Sequence, residues 1–141
     1  MFSKIFCPFS LTYSNYSNLS LIKSISGIRG TIGGTVGDNL TAQDIVSSAA
    51  GYGTWLLQQD KQPSIVIGRD ARISGELVSD LVVSTLRMLG INVVDLGLST
   101  TPTVEMAVVA EKATGGIILT ASHNPKEWNA LKLLNSDDEY Y

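Results

Sequence analysis

Residues 64–97, SIVIGRDARISGELVSDLVVSTLRMLGINVVDLG, decide the fold of this chain. The β-branched run at 64–68 predicts a short strand that is buried on both faces. Ser74 is placed to cap a helix whose apolar residues recur at helical spacing, and Gly90 is placed to end it. A second apolar strand follows at 91–97. A strand, a helix and a strand in this order predict two parallel strands joined by a right-handed crossover.

The segment before this unit predicts one further strand and one long helix. Residues 21–26, LIKSIS, alternate apolar and polar side chains, which is typical of a half-buried strand. Residues 27–34, GIRGTIGG, hold four glycines, so the backbone there either turns tightly or passes close to another segment. Thr41 and Asp44 then have the spacing of a capping box, and an apolar stripe predicts a helix to about Gln59.

The segment after the unit predicts a third helix and two more strands. Pro102 suits the first turn of a helix from Thr103 to about Lys112. The apolar runs 115–120 and 130–135 predict the last two strands. The predicted fold class is therefore α/β, with a mainly parallel mixed sheet sandwiched between helices.

Three predicted loops follow the carboxyl ends of strands. They are GRDAR at 68–72, GLSTTP at 97–102 and TASHNP at 120–125. In parallel sheets these ends meet at one edge, and ligands bind there. This edge is the predicted site.

Length and composition limit the number of domains and the classes of partner. With 141 residues, of which 44% are hydrophobic, we predict one domain at 21–141 after an N-terminal extension at 1–20. The extension lacks the continuous apolar core of a signal peptide and the arginines of a transit peptide. A disordered or adventitious segment and a targeting segment both remain open. A net charge of −3 offers no basic field that would attract nucleic acid or an anionic membrane.

The cysteine content and the hydropathy pattern indicate a compartment. Cys7 is the only cysteine and cannot form an internal disulfide, which favours a reducing environment. No apolar run reaches the roughly 20 residues that a membrane helix requires. We therefore expect a cytoplasmic protein with no membrane partner.

Ser122, His123 and Asn124 stand together where the predicted strand 115–120 ends. Ser-His-Asn-Pro is also an ordinary turn sequence, so a surface bend is one interpretation. The other is a nucleophilic or phosphate-carrying hydroxyl at Ser122, because the loop lies at the carboxyl end of a strand. His123, the only histidine, suits either a structural role or a proton carrier beside that hydroxyl.

Basic side chains gather around the predicted loops. Five of the ten lysines and arginines lie in or beside them: Arg29, Arg69, Arg72, Lys126 and Lys132. Forked arginine donors and glycine-rich backbone both match phosphate, so we predict a phosphate-binding edge. Two alternatives remain open. Loop arginines also cap helix ends or pair with aspartates such as Asp70, and Lys132 suits either a site residue or an edge position of the sheet.

Three segments occur in order on the predicted loops: GIRG at 27–30, GRDAR followed by SG at 68–75, and TASHNP at 120–125. In this combination they resemble the α-D-phosphohexomutases, the family of phosphoglucomutases, phosphomannomutases and phosphoglucosamine mutases. The resemblance runs from about Leu21 to Asn135. It implies the N-terminal α/β domain of that family, domain I.

The resemblance implies an intramolecular phosphotransferase of carbohydrate metabolism, which interconverts hexose 1-phosphates and hexose 6-phosphates. Ser122 matches the family's phosphoserine, which phosphorylates a hexose monophosphate and takes the other phosphoryl group back from the bisphosphorylated sugar. His123 and Lys132 match its proton-transfer and charge-stabilising groups, and Arg29 matches an arginine near the phosphoserine. These four are the candidate catalytic residues.

Other residues and groups complete the expected site. Asn124, Arg69 and Lys126 are the candidate substrate- or phosphate-binding residues. The resemblance also implies a Mg²⁺ ion on an oxygen of phosphorylated Ser122, held mainly by residues outside this chain, and a hexose 1,6-bisphosphate as activator.

Members of the family are longer than this chain and carry further domains. We therefore expect the missing C-terminal domains to be partners, along with a hexose phosphate substrate, and the chain to be inactive alone. The alternative is a non-catalytic phosphosugar-binding domain or a truncated fragment.

Overall fold

The computed structural model describes Ser3, residues 19–24 and residues 27–136, so most of the predicted extension lies outside the described residues. These residues form six strands and three helices: β1 Ile22–Ser24, β2 Gly27–Thr31, α1 Ala42–Gln59, β3 Ser64–Arg69, α2 Gly75–Met88, β4 Asn92–Leu98, α3 Thr101–Ala110, β5 Gly115–Leu119 and β6 Trp128–Leu134. None of the helices in this part of the chain has both the length and the apolar character needed to cross a bilayer.

The strands form one mixed sheet in the order β1-β2-β6-β5-β3-β4. Strand β3 pairs in parallel with β4 and β5, as the strand–helix–strand units predict. Strand β6 pairs antiparallel with β5 and β2, and β1 pairs antiparallel with β2. The predicted α/β class with a mixed sheet is confirmed. The expected parallel majority is not found among the described strands, because two pairings are parallel and three, which include the unpredicted strand β2, are antiparallel.

Helices cover both faces of the sheet. Helices α1 and α2 pack on one face, where Leu56 and Leu86 join a core that includes Ile117. Helix α3 packs on β3 and β5 on the other face, where Val108 and Ile118 are buried. Successive residues of a strand point to opposite faces, so Ile117 and Ile118 enter different cores. This double coverage explains the continuous apolar run of β5.

The glycine-rich segment 27–34 contains strand β2. From the sequence, either a tight turn or a close approach of this backbone to another segment was possible. Gly27 has a φ of 109°, and a Cβ built there would lie 2.3 Å from the carbonyl oxygen of Leu131. The close approach is therefore the correct alternative at Gly27. It lets β2 lie against β6 and carries Arg29 into the sheet.

Ser74 is the N-cap residue of α2, as predicted, but its side chain does not cap the helix. Ser74 has helical backbone angles, and its side chain makes no capping hydrogen bond. Its hydroxyl instead accepts a hydrogen bond from the side-chain amide of Asn129, 2.9 Å away. Both residues are buried, and a buried amide needs a partner. At the other end of α2, Gly90 follows the C-cap with a φ of 83°, as predicted.

Several boundaries differ by one or two residues from the predicted ones, and hydrogen bonds account for two of these differences. Helix α3 starts at Thr101, two residues early, because the hydroxyl of Thr100 accepts a hydrogen bond from the backbone of the first turn. Ser20, which the sequence placed in the extension, is buried, and its hydroxyl lies 2.6 Å from that of Thr31. The packed domain therefore includes Ser20.

Helix α1 begins with the predicted capping box. The Thr41 hydroxyl accepts a hydrogen bond from the Asp44 N–H at 3.3 Å, and the Asp44 carboxylate accepts from the Thr41 N–H at 3.3 Å and from its hydroxyl. The hydrogen bond from the hydroxyl, more than any other contact, lowers the pKa of Asp44 below its ordinary 3.8, while burial acts in the opposite direction.

We predict that Asp44→Asn lowers the free energy of unfolding by about 1 kcal/mol at neutral pH. The carboxylate contributes its stability above its unfolded-state pKa and loses it as the pH falls through the lower folded-state pKa. The difference between wild type and variant should therefore shrink in acid. Urea denaturation at neutral pH and at about pH 3 tests this. Asp80→Asn, at an exposed position of α2, is the control. A difference that does not change with pH would refute the linkage.

Candidate functional site

Three loops lie side by side at one edge of the sheet. Strands β3, β4 and β5 are parallel, so the segments that follow them meet there. Backbone hydrogen bonds join the neighbours: the Asp70 N–H donates to the Leu119 carbonyl at 3.1 Å, and the Ser99 N–H donates to the Arg69 carbonyl at 3.0 Å. We call residues 120–127, between β5 and β6, the serine loop. The predicted edge is therefore present.

Ser122 lies exposed in the serine loop with a left-handed backbone, φ 52°. This conformation costs a non-glycine residue about 1–2 kcal/mol, so surrounding contacts must hold it. Its N–H donates to the Thr120 hydroxyl at 3.1 Å, and its carbonyl accepts from Arg72 at 2.7 Å. Its Oγ accepts a hydrogen bond from Nζ of Lys132 at 3.2 Å. The predicted hydroxyl and the predicted lysine are thus in direct contact.

Lys132 reaches Ser122 from the neighbouring strand. Its partner across the β5–β6 ladder is Ile118, so the two side chains project from the same face. The lysine is half-buried, and its ammonium group extends to the loop that follows β5. Since β6 lies between β5 and β2, the alternative of an edge position for Lys132 is wrong.

Arg29 lies on the same face as Lys132. The register of β2 and β6 places it opposite Ala130, two residues from Lys132 along β6. Its Nε is buried and has no hydrogen-bond partner among the described residues, and Arg29 does not hydrogen-bond to Ser122 in this part of the chain. A buried donor without an acceptor is unfavourable, and an anion at this face would satisfy it.

Arg72 organises the serine loop. Its Nε donates to Oδ2 of Asp70 at 3.1 Å. Its two terminal nitrogens donate, at 2.7 to 3.0 Å, to four carbonyls: those of Ser122, Asn124, Pro125 and Trp128. All five guanidinium N–H donors are thereby engaged. The grouping of Arg72 with phosphate-binding residues is therefore wrong, and its pairing with Asp70, which the sequence left open, is confirmed.

Asp70 connects Arg72 with the start of the serine loop. Its Oδ2 also accepts a hydrogen bond from the Thr120 hydroxyl at 2.6 Å, and its Oδ1 accepts from the backbone N–H of Arg72 at 3.0 Å. The same Thr120 oxygen accepts from the Ser122 N–H. Arg72, Asp70, Thr120 and Ser122 are therefore joined in a ring of hydrogen bonds.

Four other predicted residues lie at this edge without contacting the Ser122 hydroxyl in the described chain. His123 and Lys126 are exposed, and neither side chain hydrogen-bonds to a described residue. Asn124 is half-buried, and its backbone closes a turn of the loop. Arg69, at the end of β3, donates a long 3.4 Å hydrogen bond to the carbonyl of the next residue.

Sequence reasoning missed the role of Arg72. A loop that contains Pro125 and little regular structure leaves several carbonyls without backbone donors, and a side chain with several N–H groups is suited to bind them. That signal was present in the sequence. It does not distinguish Arg72 from Arg69, because the choice depends on where each side chain points at the edge.

The described residues do not form a metal centre by themselves. No group of three or more histidine, cysteine, aspartate or glutamate side chains in this part of the chain is placed to hold a metal ion. Asp70 is engaged with Arg72 and Thr120. A divalent cation would therefore need ligands from another segment.

The arrangement suits a hydroxyl that carries an anionic group. Ser122 is exposed, the ammonium of Lys132 touches its oxygen, and the guanidinium of Arg29 adds charge on the same face. Fixed cations beside an oxygen stabilise negative charge that develops there. Fold and site together define an α/β domain with a cation-contacted serine beyond the ends of parallel strands.

Comparison with known proteins identifies the family. The phosphoglucomutase/phosphomannomutase family, alpha/beta/alpha domain I, matches residues 21–140. The chain belongs to this family, as its three motifs predicted.

Relatives and solved structures agree with this assignment. A phosphoglucomutase/phosphomannomutase of Thermococcus kodakarensis is 38% identical over 108 residues, which cover 74% of this chain and 24% of the relative. A phosphoglucosamine mutase of Pediococcus pentosaceus is 39% identical over 112 residues, which cover 79% of this chain and 24% of the relative. The crystal structure of a phosphoglucomutase/phosphomannomutase family protein from Burkholderia thailandensis matches with a TM-score of 0.68 at 26% identity, over 87% of this chain and 27% of that one. The chain spans about a quarter of the length of these proteins.

Proposed function

We propose that this chain, from Ser20 onward, is the phosphoserine-bearing domain of an intramolecular phosphotransferase that interconverts hexose 1-phosphates and hexose 6-phosphates. The observation that carries the proposal is the 3.2 Å hydrogen bond from Nζ of Lys132 to Oγ of Ser122. Family membership supports the reaction class. Within that class, an exposed hydroxyl in contact with a cation is the group best suited to hold a phosphoryl group.

The proposed transfer exchanges one phosphate ester for another. A hydroxyl of a hexose monophosphate attacks the phosphorus on Ser122, a P–O bond to the sugar forms, and the P–O bond to Oγ breaks. The sugar hydroxyl loses its proton, and the serine oxygen gains one. The bisphosphorylated sugar then returns its other phosphoryl group to Ser122 by the reverse exchange. Lys132 stabilises the negative charge that develops on the leaving serine oxygen.

The other candidate residues are assigned from position and chemistry. His123, exposed beside Ser122, is the proposed proton carrier, because an imidazole can both accept and donate a proton and its loop position is exposed. Arg29 is proposed to bind a phosphoryl oxygen, because its buried Nε needs an acceptor. Asn124, Arg69 and Lys126 are the proposed substrate- or phosphate-binding residues.

Further parts of the active site are proposed to lie outside these residues. Mg²⁺, which the family resemblance implies, would need carboxylates of another segment in addition to the described residues. A hexose 1,6-bisphosphate is the proposed activator that phosphorylates Ser122. The names of the relatives include phosphoglucomutase, phosphomannomutase and phosphoglucosamine mutase, so the proposed substrates are hexose phosphates as a class.

An apolar surface supports the proposal that further domains are partners. Leu77, 46% exposed, lines an apolar cleft with Ile32, Leu40 and Leu81, and Ile73 beside it is 59% exposed. Such surfaces commonly meet another domain. Residues 1–141 alone should therefore show negligible mutase turnover in a coupled assay. Turnover comparable to that of a full-length relative would disprove this part of the proposal.

We predict that Ser122 is the residue phosphorylated by a hexose 1,6-bisphosphate. Incubation should add about 80 Da to the intact mass of the wild-type chain, the mass of one phosphoryl group. Ser122→Ala should abolish the gain, because it removes the hydroxyl that accepts the hydrogen bond from Lys132. Ser136→Ala, an exposed serine after β6, is the matched control and should still be phosphorylated.

A second arm separates an inert serine from an incomplete site. The later domains of the Thermococcus kodakarensis relative are added in trans, and the mass is measured again. Phosphorylation of wild type only in this arm would show that loading needs those domains. No gain in either arm would overturn the proposal in favour of a phosphosugar-binding domain without turnover.

A further inference from the structure

The conformation of Ser122 is held by two side chains: that of Thr120 in the same loop and that of Arg72 in the loop after β3. A left-handed non-glycine residue persists only where its surroundings determine it. The peptide group before Ser122 is held because the Ser122 N–H donates to the Thr120 hydroxyl. The peptide group after Ser122 is held because Arg72 donates to the Ser122 carbonyl. The Thr120 hydroxyl is in turn bound to Asp70, which binds Arg72. Both contacts therefore lead to the same arginine.

Arg72 is suited to this task by burial and by its number of donors. Its side chain is only 11% exposed, and its five N–H groups meet three carbonyls of the serine loop, the carbonyl of Trp128 at the start of β6 and one carboxylate oxygen. A planar guanidinium can satisfy five acceptors at once, whereas an ammonium has three donors. With all five engaged, Arg72 has no donor left for a phosphate.

We propose that Arg72 is a positioning residue for phosphoryl transfer: it holds the serine loop so that Oγ of Ser122 stays against Nζ of Lys132. This inference rests on the proposed role of Ser122 as phosphoryl carrier. Arg72 acts through the loop backbone and touches neither the phosphoryl group nor the sugar. Asp70 serves the same purpose by fixing the guanidinium and the Thr120 hydroxyl together.

The first test measures the loop itself and does not depend on phosphorylation. The full chain carrying Arg72→Gln or Arg72→Lys is compared with Arg87→Gln, which changes an exposed arginine in the last turn of α2. Amide hydrogen exchange across 121–128 and the backbone chemical shifts of Ser122 are recorded. Both Arg72 variants should exchange faster in the loop, and Ser122 should leave its left-handed conformation. Protection and shifts equal to those of wild type would overturn the inference.

The second test measures the rate of phosphoryl transfer to Ser122. A loss of stability alone would not change this rate as long as the protein remains folded. Circular dichroism and urea denaturation establish a temperature at which every variant is folded. At that temperature Arg72→Gln should slow the phosphorylation of Ser122 by a hexose 1,6-bisphosphate about 100-fold, the effect of displacing a reacting group by about 1 Å. Arg87→Gln should react at the wild-type rate.

The two tests keep the two proposals apart. A wild-type rate in folded Arg72→Gln would overturn the positioning role while leaving Ser122 as the phosphoryl carrier. If wild type takes up no phosphate, with or without later domains in trans, the proposed function fails, and the exchange experiment alone decides whether Arg72 holds the loop. If Arg72→Gln does not fold, Arg72→Lys, which keeps the charge and up to three donors, is tested in the same way.

Discussion

Lys132→Met should slow the transfer of a phosphoryl group to Ser122 by about 100-fold or more, the usual effect of removing one donor from a developing negative charge. Methionine keeps the apolar stem on the face of β6 and removes only the ammonium that lies 3.2 Å from Oγ. The fold should be retained, because the methionine side chain covers the same part of the sheet as the aliphatic stem of Lys132. The rate of mass gain with a hexose 1,6-bisphosphate measures the effect.

Lys61→Met is the matched control for this experiment. Lys61 is exposed in the connection between α1 and β3, at the opposite end of the sheet from the serine loop. Its loss should leave the rate unchanged. A wild-type rate for folded Lys132→Met would show that the hydrogen bond to Oγ has no part in the transfer.

Gly27→Ala should lower the free energy of unfolding by about 3 kcal/mol or more, the combined effect of a forbidden backbone angle and an overpacked contact. A Cβ at this position, where φ is 109°, would lie 2.3 Å from the Leu131 carbonyl oxygen. Strand β2 would have to move away from β6, and Arg29 would move with it. Urea denaturation of the two chains measures the loss.

Gly37→Ala separates the two causes. Gly37 also has a positive φ, 84°, but a Cβ there meets nothing within 4 Å. Its substitution should cost only the backbone strain, about 1–2 kcal/mol. Equal losses for Gly27→Ala and Gly37→Ala would show that the approach of β2 to β6 is not as tight as described.

The parallel half of the fold follows from local pattern. The apolar run of β3, the amphipathic stripe of α2 and the left-handed Gly90 are consecutive signals, and each appears where it was predicted. The antiparallel half does not follow in the same way. Strand β2 forms by pairing with β6, which lies far away in sequence. Its segment has four glycines in eight residues and lacks the alternation of apolar and polar side chains that predicts a strand.

The same distinction applies to the site. The motif TASHNP placed Ser122 at this edge, the family resemblance matched Lys132 to a charge-stabilising group, and the structure brings the two side chains into contact. The correct roles of Arg72 and Ser74 depend on partners 50 or more residues away in sequence: the Ser122 carbonyl in one case and the Asn129 amide in the other. Local propensity favours a phosphate ligand and a helix cap at these positions, and long-range hydrogen bonds override both.

The most direct measurement is the return of the phosphoryl group from Ser122 to a sugar. Wild-type chain phosphorylated by a hexose 1,6-bisphosphate, with the later domains of the Thermococcus kodakarensis relative in trans where loading requires them, is freed of excess reagent and mixed with a hexose monophosphate. We predict that the chain loses its added mass, about 80 Da, while a hexose bisphosphate forms. A stable phosphoserine, or a phosphoryl group mapped to another residue, would contradict it.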